Sequence, residues 1–289
     1  MQKLKVIFTD SGLGGLSIMA DFVKLADLNG LNVDSIFFNA QHSRDWGYKK
    51  MDSKTQVQVF NKALQSMQDI YNPDIIAIAC NTLSVVYLKS DFYKQASTTI
   101  LDIIKTGKSL IKHSDCRNII EVAMPTTVES GVYSDKSKEI IGIASDTTLP
   151  DAIENADYQK IDLILKDIFK QARFEMTKKN LQNSNAALFL GCTHFPVIKD
   201  KFIDFAENEG INICSLLNPN EKFSQQVLEE AILRSKTGTS DYKPQNYVKV
   251  VSRLEFKDSE ITNFSNLIKT RSAETADALK NYEYKPELF

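Results

Sequence analysis

The sequence predicts an α/β protein of two similar lobes, each with a mainly parallel sheet flanked by helices. Short runs rich in β-branched residues alternate along the chain with longer amphipathic stretches, a pattern typical of parallel sheets covered by helices. Two segments also resemble each other. In each half of the chain an apolar run is followed by a cysteine and two polar residues, at Cys80–Thr82 and at Cys192–His194. With 289 residues, the chain is long enough for two domains with separate cores.

Nine short apolar segments are the predicted strands. In chain order they are residues 5–10, 34–40, 74–81, 98–103, 118–124, 139–145, 187–192, 211–216 and 247–252. The spacing of apolar residues predicts helices over 53–71, 158–181 and 197–209, and Asp52 and Ser53 are candidate caps for the first of these. The polar stretch 255–289 is expected to form a helical appendage with a solvated face.

Charge and apolar patterning exclude several classes of partner. The chain carries 35 basic and 37 acidic residues, so its net charge of -2 gives no electrostatic basis for binding nucleic acid or an anionic membrane. No run approaches the roughly 20 apolar residues of a membrane span, and the first apolar run is too short for a secretory signal. Four scattered cysteines are too few for a disulfide framework, which favours a reducing cytoplasm, and Cys116 and Cys214 are expected to be small core residues.

The two cysteine segments indicate proton transfer. Each places a thiol beside polar side chains where a buried strand ends. Inverting a carbon that carries hydrogen needs a base on one face and an acid on the other. A thiol suits either role because its ordinary pKa of about 8.5 is close enough to neutrality to be tuned. The pair Cys80 and Cys192 therefore predicts two-base chemistry at a single carbon.

A glycine-rich turn follows the first strand. Asp10 and Ser11 come before Gly12, Gly14 and Gly15, and a helix is predicted to begin near residue 16. Backbone amides in such a turn bind carboxylates, and an aspartate there can hold an ammonium group or orient another side chain. The position of a third dinucleotide-binding glycine is occupied by serine, so the turn does not predict a nucleotide site.

Four motifs together resemble those of the aspartate/glutamate racemase superfamily, and glutamate racemases most of all. They are "DSGLGGLS", "ACNTLS", "MPTTVESGVY" and "LGCTHFP", within a resemblance that spans roughly residues 4–251. The resemblance implies a cofactor-independent, metal-free enzyme with its active site in the cleft between two α/β lobes. It also implies a first lobe of residues 1–98 and 212–289, with the C-terminal appendage, and a second lobe of residues 99–211.

The resemblance assigns roles to individual residues. Cys80 and Cys192 would be the acid/base pair, assisted by Asp10 and His194. The substrate's carboxylates and ammonium group would be held by Ser11, Asn81, Thr82 and Thr193, with Thr127 on the remaining wall. Glu154 would be the acid that supports the histidine, and Asp151 is the alternative.

One loop departs from the family pattern. Where glutamate racemases usually carry Pro-Tyr-Gly against the substrate carboxylate, this chain has Asp45, Trp46 and Gly47. Trp46 and Gly47 are therefore expected to contact the substrate, and the change leaves side-chain specificity open. The predicted reaction is the interconversion of L- and D-glutamate, supplying D-glutamate for bacterial cell-wall peptidoglycan.

Other interpretations remain. A racemase for aspartate or another amino acid is one alternative, and a non-catalytic amino-acid-binding relative is another. A metal site at Cys192 and His194 is disfavoured because no C-x-x-C pair accompanies them. Superfamily members are often homodimers, and a homodimer is allowed here.

Overall fold

The computed structural model describes residues 3–45, 47–96, 98–235 and 246–289. The strands within them are β1 (Leu4–Asp10), β2 (Val33–Asn39), β3 (Ile75–Ile78), β4 (Thr99–Asp102), β5 (Asn118–Ala123), β6 (Glu139–Ala144), β7 (Ala186–Gly191), β8 (Ile213–Leu217), β9 (Tyr247–Ser252) and β10 (Glu283–Tyr284). The helices are α1 (Gly15–Leu28), α2 (Ser53–Tyr71), α3 (Asn81–Tyr87), α4 (Phe92–Gln95), α5 (Ile103–Lys112), α6 (Pro125–Glu129), α7 (Leu149–Glu154), α8 (Tyr158–Lys178), α9 (Lys199–Asn208), α10 (Pro219–Arg234), α11 (Asp258–Lys269) and α12 (Ala273–Lys280). Two 3-10 turns cover Tyr48–Lys50 and Phe195–Ile198.

The chain forms two compact units. The first contains Met1–Ile103 and Asn220–Phe289, and the second contains Ile104–Pro219. These divisions lie five and eight residues later in the chain than the lobe boundaries expected at 98/99 and 211/212. The difference arises because β4 pairs with β3 in the first unit, whereas β8 pairs with β7 in the second.

The first unit is built on a six-stranded sheet with the order β10-β9-β2-β1-β3-β4, and every pair is parallel. Asp10 pairs in register with Asn39, and Thr9 pairs with Ile78. The carboxyl ends of β1, β2 and β3 therefore meet at one edge. In open parallel α/β sheets this is the edge where ligands bind.

Helix α2 illustrates how local sequence sets an element. It begins at Ser53 because the carboxylate of Asp52 accepts a hydrogen bond from the Thr55 backbone N–H at 2.7 Å. It ends at Tyr71, where Asn72 adopts a left-handed conformation with φ 44°. The predicted helix over 53–71, with Asp52 as its cap, is confirmed.

The expected C-terminal appendage instead forms part of the first unit's core. Phe264 and Leu279 are fully buried in the apolar layer that packs on α1, and Leu288 is buried in the layer on the opposite sheet face. As expected, the segment keeps a solvated face, which includes the exposed Asp258, Lys269 and Asp277. Its charged residues obscure an apolar set spaced along α11 and α12 that covers the sheet.

The second unit has a four-stranded parallel sheet with the order β6-β5-β7-β8. Ala123 pairs in register with both Ala144 and Gly191, so the carboxyl ends of β5, β6 and β7 also share one edge. Apolar side chains from α7, α8 and α9 pack on one face of this sheet. Among the described helices of the whole chain, none is long and apolar enough to cross a membrane.

Cys116 and Cys214 form a disulfide within the second unit. Cys116 is half-buried and Cys214 is exposed, so the expectation that both are small core residues was wrong. Cysteine spacing also gave no indication of this pair. The two residues are 98 positions apart in the sequence. Cys116 lies just before β5 and Cys214 lies in β8, and these two strands flank β7 in the sheet.

Candidate active site

Cys80 lies where β3 ends and α3 begins. It is 7% exposed, and its sulfur caps the helix by accepting the Leu83 backbone N–H at 3.4 Å. The Ser11 hydroxyl oxygen lies 3.4 Å from the same sulfur. The thiol is therefore buried at the carboxyl edge of the sheet and next to two hydrogen-bonding groups.

Asp10 ends the neighbouring strand β1 and is buried. Its Oδ1 accepts the Ser11 backbone N–H at 2.6 Å. Its Oδ2 lies so close to the start of α1 that a Cβ on Gly15 would stand 3.0 Å from it and 2.9 Å from the Asp10 Cβ. Only glycine fits at this position, and its small size lets the carboxylate approach the helix amino terminus.

The surroundings of Cys80 favour the protonated thiol. Burial raises its pKa well above the ordinary value, and the negative charge of Asp10 raises it further. The hydrogen bonds from Ser11 and the Leu83 backbone act in the opposite direction and are outweighed. At neutral pH, Cys80 is therefore a proton donor.

Ser11, Asn81 and Thr82, three other expected contacts of the first unit, lie at the same edge. Asn81 and Thr82 open α3, where Asn81 is buried and Thr82 is half-buried, and Ser11 is also half-buried. Gly47 is buried against the side-chain amide of Gln41. Trp46 lies outside the described residues, while the adjacent Asp45 is exposed.

In the second unit, Cys192 directly follows β7 and is 7% exposed. The Nδ1 atom of His194 lies 3.7 Å from the Cys192 sulfur, and its Nε2 atom lies 2.7 Å from Oε1 of Glu154. Asp151 is exposed, whereas Glu154 contacts the imidazole from the end of α7. The three groups thus form a buried chain from carboxylate through imidazole to thiol.

The electrostatics of His194 follow from this chain. Burial of the ring disfavours its charged form, but hydrogen bonds to Cys192 and Glu154 outweigh burial and raise the His194 pKa well above its ordinary value. At neutral pH the ring is an imidazolium that donates from both nitrogens. The positive charge of the ring therefore lies beside the Cys192 sulfur.

Two threonines and a glycine complete the edge of the second unit. Thr193, which separates Cys192 from His194 in the sequence, is buried. Thr127 is buried on α6, which begins just after β5. Gly191 allows β7 to pass close to β5, because a Cβ at this position would lie 2.7 Å from the Ala123 Cβ. The close approach fixes where Cys192 leaves the sheet.

Sequence reasoning missed a buttress of the 41–50 loop. Arg44 donates to both carboxylate oxygens of Glu260 at 2.9 and 2.7 Å, and to the Glu255 carbonyl at 2.7 Å. Glu260 is buried, and no local signal could pair it with Arg44, which is 216 positions away. The loop that carries Gly47 is therefore tied to α11.

Across the described parts of the chain, no three His, Cys, Asp or Glu side chains are grouped so that they could hold a metal ion. His194 contacts Cys192 through one ring nitrogen and Glu154 through the other, in the arrangement of a proton-transfer chain.

The chain is similar in sequence to curated glutamate racemases. No family sequence model matches the chain. It is 25% identical over 226 residues to glutamate racemase 3 of Caldanaerobacter subterraneus subsp. tengcongensis, covering 76% of each chain. It is 23% identical over 271 residues to the glutamate racemase of a Nitratiruptor species, covering 87% of this chain and 98% of that one.

A solved structure shares the fold. The glutamate racemase of Francisella tularensis subsp. tularensis, crystallised with D-glutamate, superposes with a TM-score of 0.70 at 20% identity, over 92% of this chain and 94% of that one. The chain therefore shares the fold of that glutamate racemase and is similar in sequence to curated glutamate racemases. The predicted fold class, two α/β lobes with parallel sheets flanked by helices, is confirmed.

Proposed function

We propose that this protein is a cofactor-independent isomerase that interconverts L- and D-glutamate, with Cys80 and Cys192 as its two acid/base groups. The observation that carries the proposal is the presence, in each unit, of one buried free thiol at the carboxyl edge of a parallel sheet. Each thiol has its own polar support, Asp10 and Ser11 for one and His194 for the other.

The reaction uses the two thiols in opposite protonation states. A thiolate removes the Cα proton from one face, and the electron pair left on carbon takes a proton from the thiol on the other face. The first cysteine then holds a proton and the second is a thiolate, so the roles are exchanged for the reverse direction. No redox change occurs and no atom is lost.

The environments of the two cysteines suit this division. The raised pKa of Cys80 keeps its proton available for donation. The His194 ring, held by Glu154, lies beside the Cys192 sulfur and would orient this group as the base. We therefore assign removal of the proton to Cys192 in one direction and to Cys80 in the other.

The polar groups around the thiols suit an amino acid with two carboxylates. Hydroxyl and amide side chains at these two edges would bind the carboxylates and ammonium group, namely Ser11, Asn81, Thr82, Thr127 and Thr193. Asp10 would hold or orient the ammonium group, and Trp46 and Gly47 would contact the side-chain end of the substrate. The curated relatives named glutamate racemase support glutamate as that substrate.

The proposed product has a biological use. D-Glutamate is a component of bacterial peptidoglycan, so the proposal places the protein in the bacterial cytoplasm, where it supplies this amino acid, although the Cys116–Cys214 disulfide is unusual for a reducing compartment. A homodimer is compatible with the proposal.

The decisive experiment is proton NMR of the purified protein in deuterated water with each enantiomer of glutamate and aspartate, without added pyridoxal phosphate or metal. We expect loss of the Cα proton signal of glutamate and the appearance of the opposite enantiomer on a chiral column. If only aspartate exchanges its Cα proton, then aspartate and not glutamate is the substrate. A folded, reduced protein that binds glutamate without exchange would be a non-catalytic relative, and the proposal would fail.

A further inference from the structure

The outer edge of strand β6, called here the β6 edge, is open. β6 is the outermost strand in the order β6-β5-β7-β8, and no strand in the described part of the chain pairs with its outer side. The backbone N–H groups of Glu139 and Ser145 donate to the carbonyls of Arg117 and Ala123, both at 2.9 Å. Every second residue from Glu139 to Ser145 therefore directs its backbone groups towards β5, and the residues between them direct theirs outwards.

The residues with outward backbone groups are Ile140, Gly142 and Ala144. In the described part of the chain, their outward N–H and C=O groups make no hydrogen bond. Gly142 and Ala144 are exposed, and because glycine has no side chain, the exposed surface at Gly142 is backbone. One face of Gly142 is covered, since a Cβ there would lie 2.8 Å from Cγ1 of Val128. The accessible backbone therefore lies along the β6 edge, where another strand could be added.

The β6 edge lacks the features by which proteins usually block such a surface. β6 has six residues, contains neither lysine nor proline, and pairs with β5 in unbroken register from Glu139 to Ala144. By contrast β8, the other outer strand of this sheet, pairs with β7 through an irregular register. Lysines, prolines and bulges on an outer strand hinder pairing with another chain, so a regular β6 without them favours such pairing.

We propose that the β6 edge pairs with the β6 edge of a second copy of this chain, antiparallel about a two-fold axis at Gly142. Such an axis brings residues at equal distances on either side of Gly142 opposite each other. Ile140 then lies opposite Ala144 of the second copy. The outward residues of the two copies form about six backbone hydrogen bonds in this register.

The charges that flank β6 favour this partner. Lys138 immediately precedes the strand, and its ammonium contacts the backbone carbonyls of Ser114 and Cys116. Asp146 lies two residues after the strand and is exposed. In the proposed register Lys138 lies opposite Asp146 of the second copy, at both ends of the paired strands. The β6 edge is therefore complementary to itself in charge as well as in hydrogen bonding.

The test is the oligomeric state of the full chain, measured by sedimentation equilibrium across the micromolar range. Two paired strands bury little surface, so we expect a weak dimer that dissociates on dilution. Ala144→Lys places a lysine on the β6 edge and should raise the dissociation constant about tenfold or more. Thr262→Lys makes the same charge change at an exposed position on α11 of the first unit and should leave the constant unchanged.

A charge exchange tests the register. Asp146→Lys places two lysines opposite each other at both ends and should raise the dissociation constant about fivefold, because like charges directly opposite are destabilising. Adding Lys138→Asp should restore the affinity. Both proteins lose the hydrogen bond from the Thr148 N–H to Asp146 at 2.7 Å, so a loss caused by that bond alone would remain in the double variant.

Three results would overturn the inference. They are a protein that is monomeric at all these concentrations, a dimer that folded Ala144→Lys leaves intact, and a charge exchange that fails to restore the affinity. Sedimentation needs no turnover, so its outcome is independent of the racemase assay.

Discussion

His194 is held between two groups, with its Nε2 atom 2.7 Å from Oε1 of Glu154 and its Nδ1 atom 3.7 Å from the Cys192 sulfur. All three side chains are buried. The carboxylate therefore fixes both the orientation and the charge of the imidazole that faces the thiol.

The first prediction concerns the stability that this charge provides. Because the native His194 pKa is raised, its contribution is fully present below the unfolded value of about 6.5 and is lost as pH rises through the native value. The unfolding free energy of wild type minus His194→Asn should therefore be largest below pH 6.5 and shrink in alkali. Exposed His113, changed to Asn, is the control and should show little difference. If the difference in unfolding free energy between wild type and His194→Asn does not change with pH, the charge assigned to His194 is wrong.

The second prediction concerns Glu121, a carboxyl group in the middle of β5. It is 4% exposed, and its Oε1 has no hydrogen-bond partner among the described residues. Burial raises the pKa of Glu121 to about 7. Ionisation therefore destabilises the native state increasingly as pH rises from the unfolded value near 4.5 to about 7.

Replacing Glu121 by Gln should stabilise the protein at pH 8 by about 3 kcal/mol and have little effect at pH 4. Chemical denaturation at both pH values measures this difference. Glu129→Gln, at an exposed position on α6 of the same unit, should change stability little at either pH. Equal stability of wild type and Glu121→Gln from pH 4 to pH 8 would show that burial does not disfavour ionisation of this carboxyl group.

The third prediction concerns the disulfide of the second unit. Thiol titration of unfolded protein should find two reactive cysteines without reductant and four after reduction, because Cys116 and Cys214 are paired. Closing a loop of this length stabilises a fold by about 4.7 kcal/mol in the chain-entropy description. A Cys116→Ser/Cys214→Ser variant should therefore unfold at lower denaturant concentration. Four reactive thiols in protein purified without reductant would contradict the pairing.

The fourth prediction concerns the loop buttress. The buried carboxylate of Glu260 has a lowered pKa because its hydrogen bonds to Arg44 outweigh the effect of burial. Arg44→Gln removes the cation and should loosen the loop carrying Gly47, raising KM for glutamate about tenfold with a smaller change in kcat. Arg44→Lys should restore KM only in part, since lysine cannot bind both oxygens in the same way. Lys178→Gln, which breaks an exposed pair with Glu175, should leave KM unchanged. If Arg44→Gln leaves KM unchanged, the contact between Arg44 and Glu260 does not contribute to substrate binding.

The fold could be predicted largely because its signals are local. Nine of the ten strands in the described part of the chain match the apolar segments, and α2 begins and ends at the predicted residues. The strand β10 was missed because two residues, Glu283 and Tyr284, carry no periodic pattern. The helix expected over 197–209 begins only at Lys199, since the preceding turn is of the 3-10 type.

The site could be predicted only in part because its contacts are not local. The positions of Cys80 and Cys192 at strand ends follow from adjacent sequence. The choice of Glu154 over Asp151 does not, because both residues lie on α7 and only the packing of that helix decides which one reaches His194. The contacts of Arg44 with Glu260 and of Cys116 with Cys214 depend on chain topology across 216 and 98 positions.

The central claim is that both thiols are required in both directions. The measurement that tests it most directly is chiral analysis of Cys80→Ala and Cys192→Ala, each started from L-glutamate and from D-glutamate, beside a Cys116→Ala/Cys214→Ala control. We predict that each single variant loses racemisation by about a thousandfold or more in both directions, while the control remains active. Substantial turnover from either enantiomer by a folded Cys80→Ala or Cys192→Ala protein would contradict the two-thiol account.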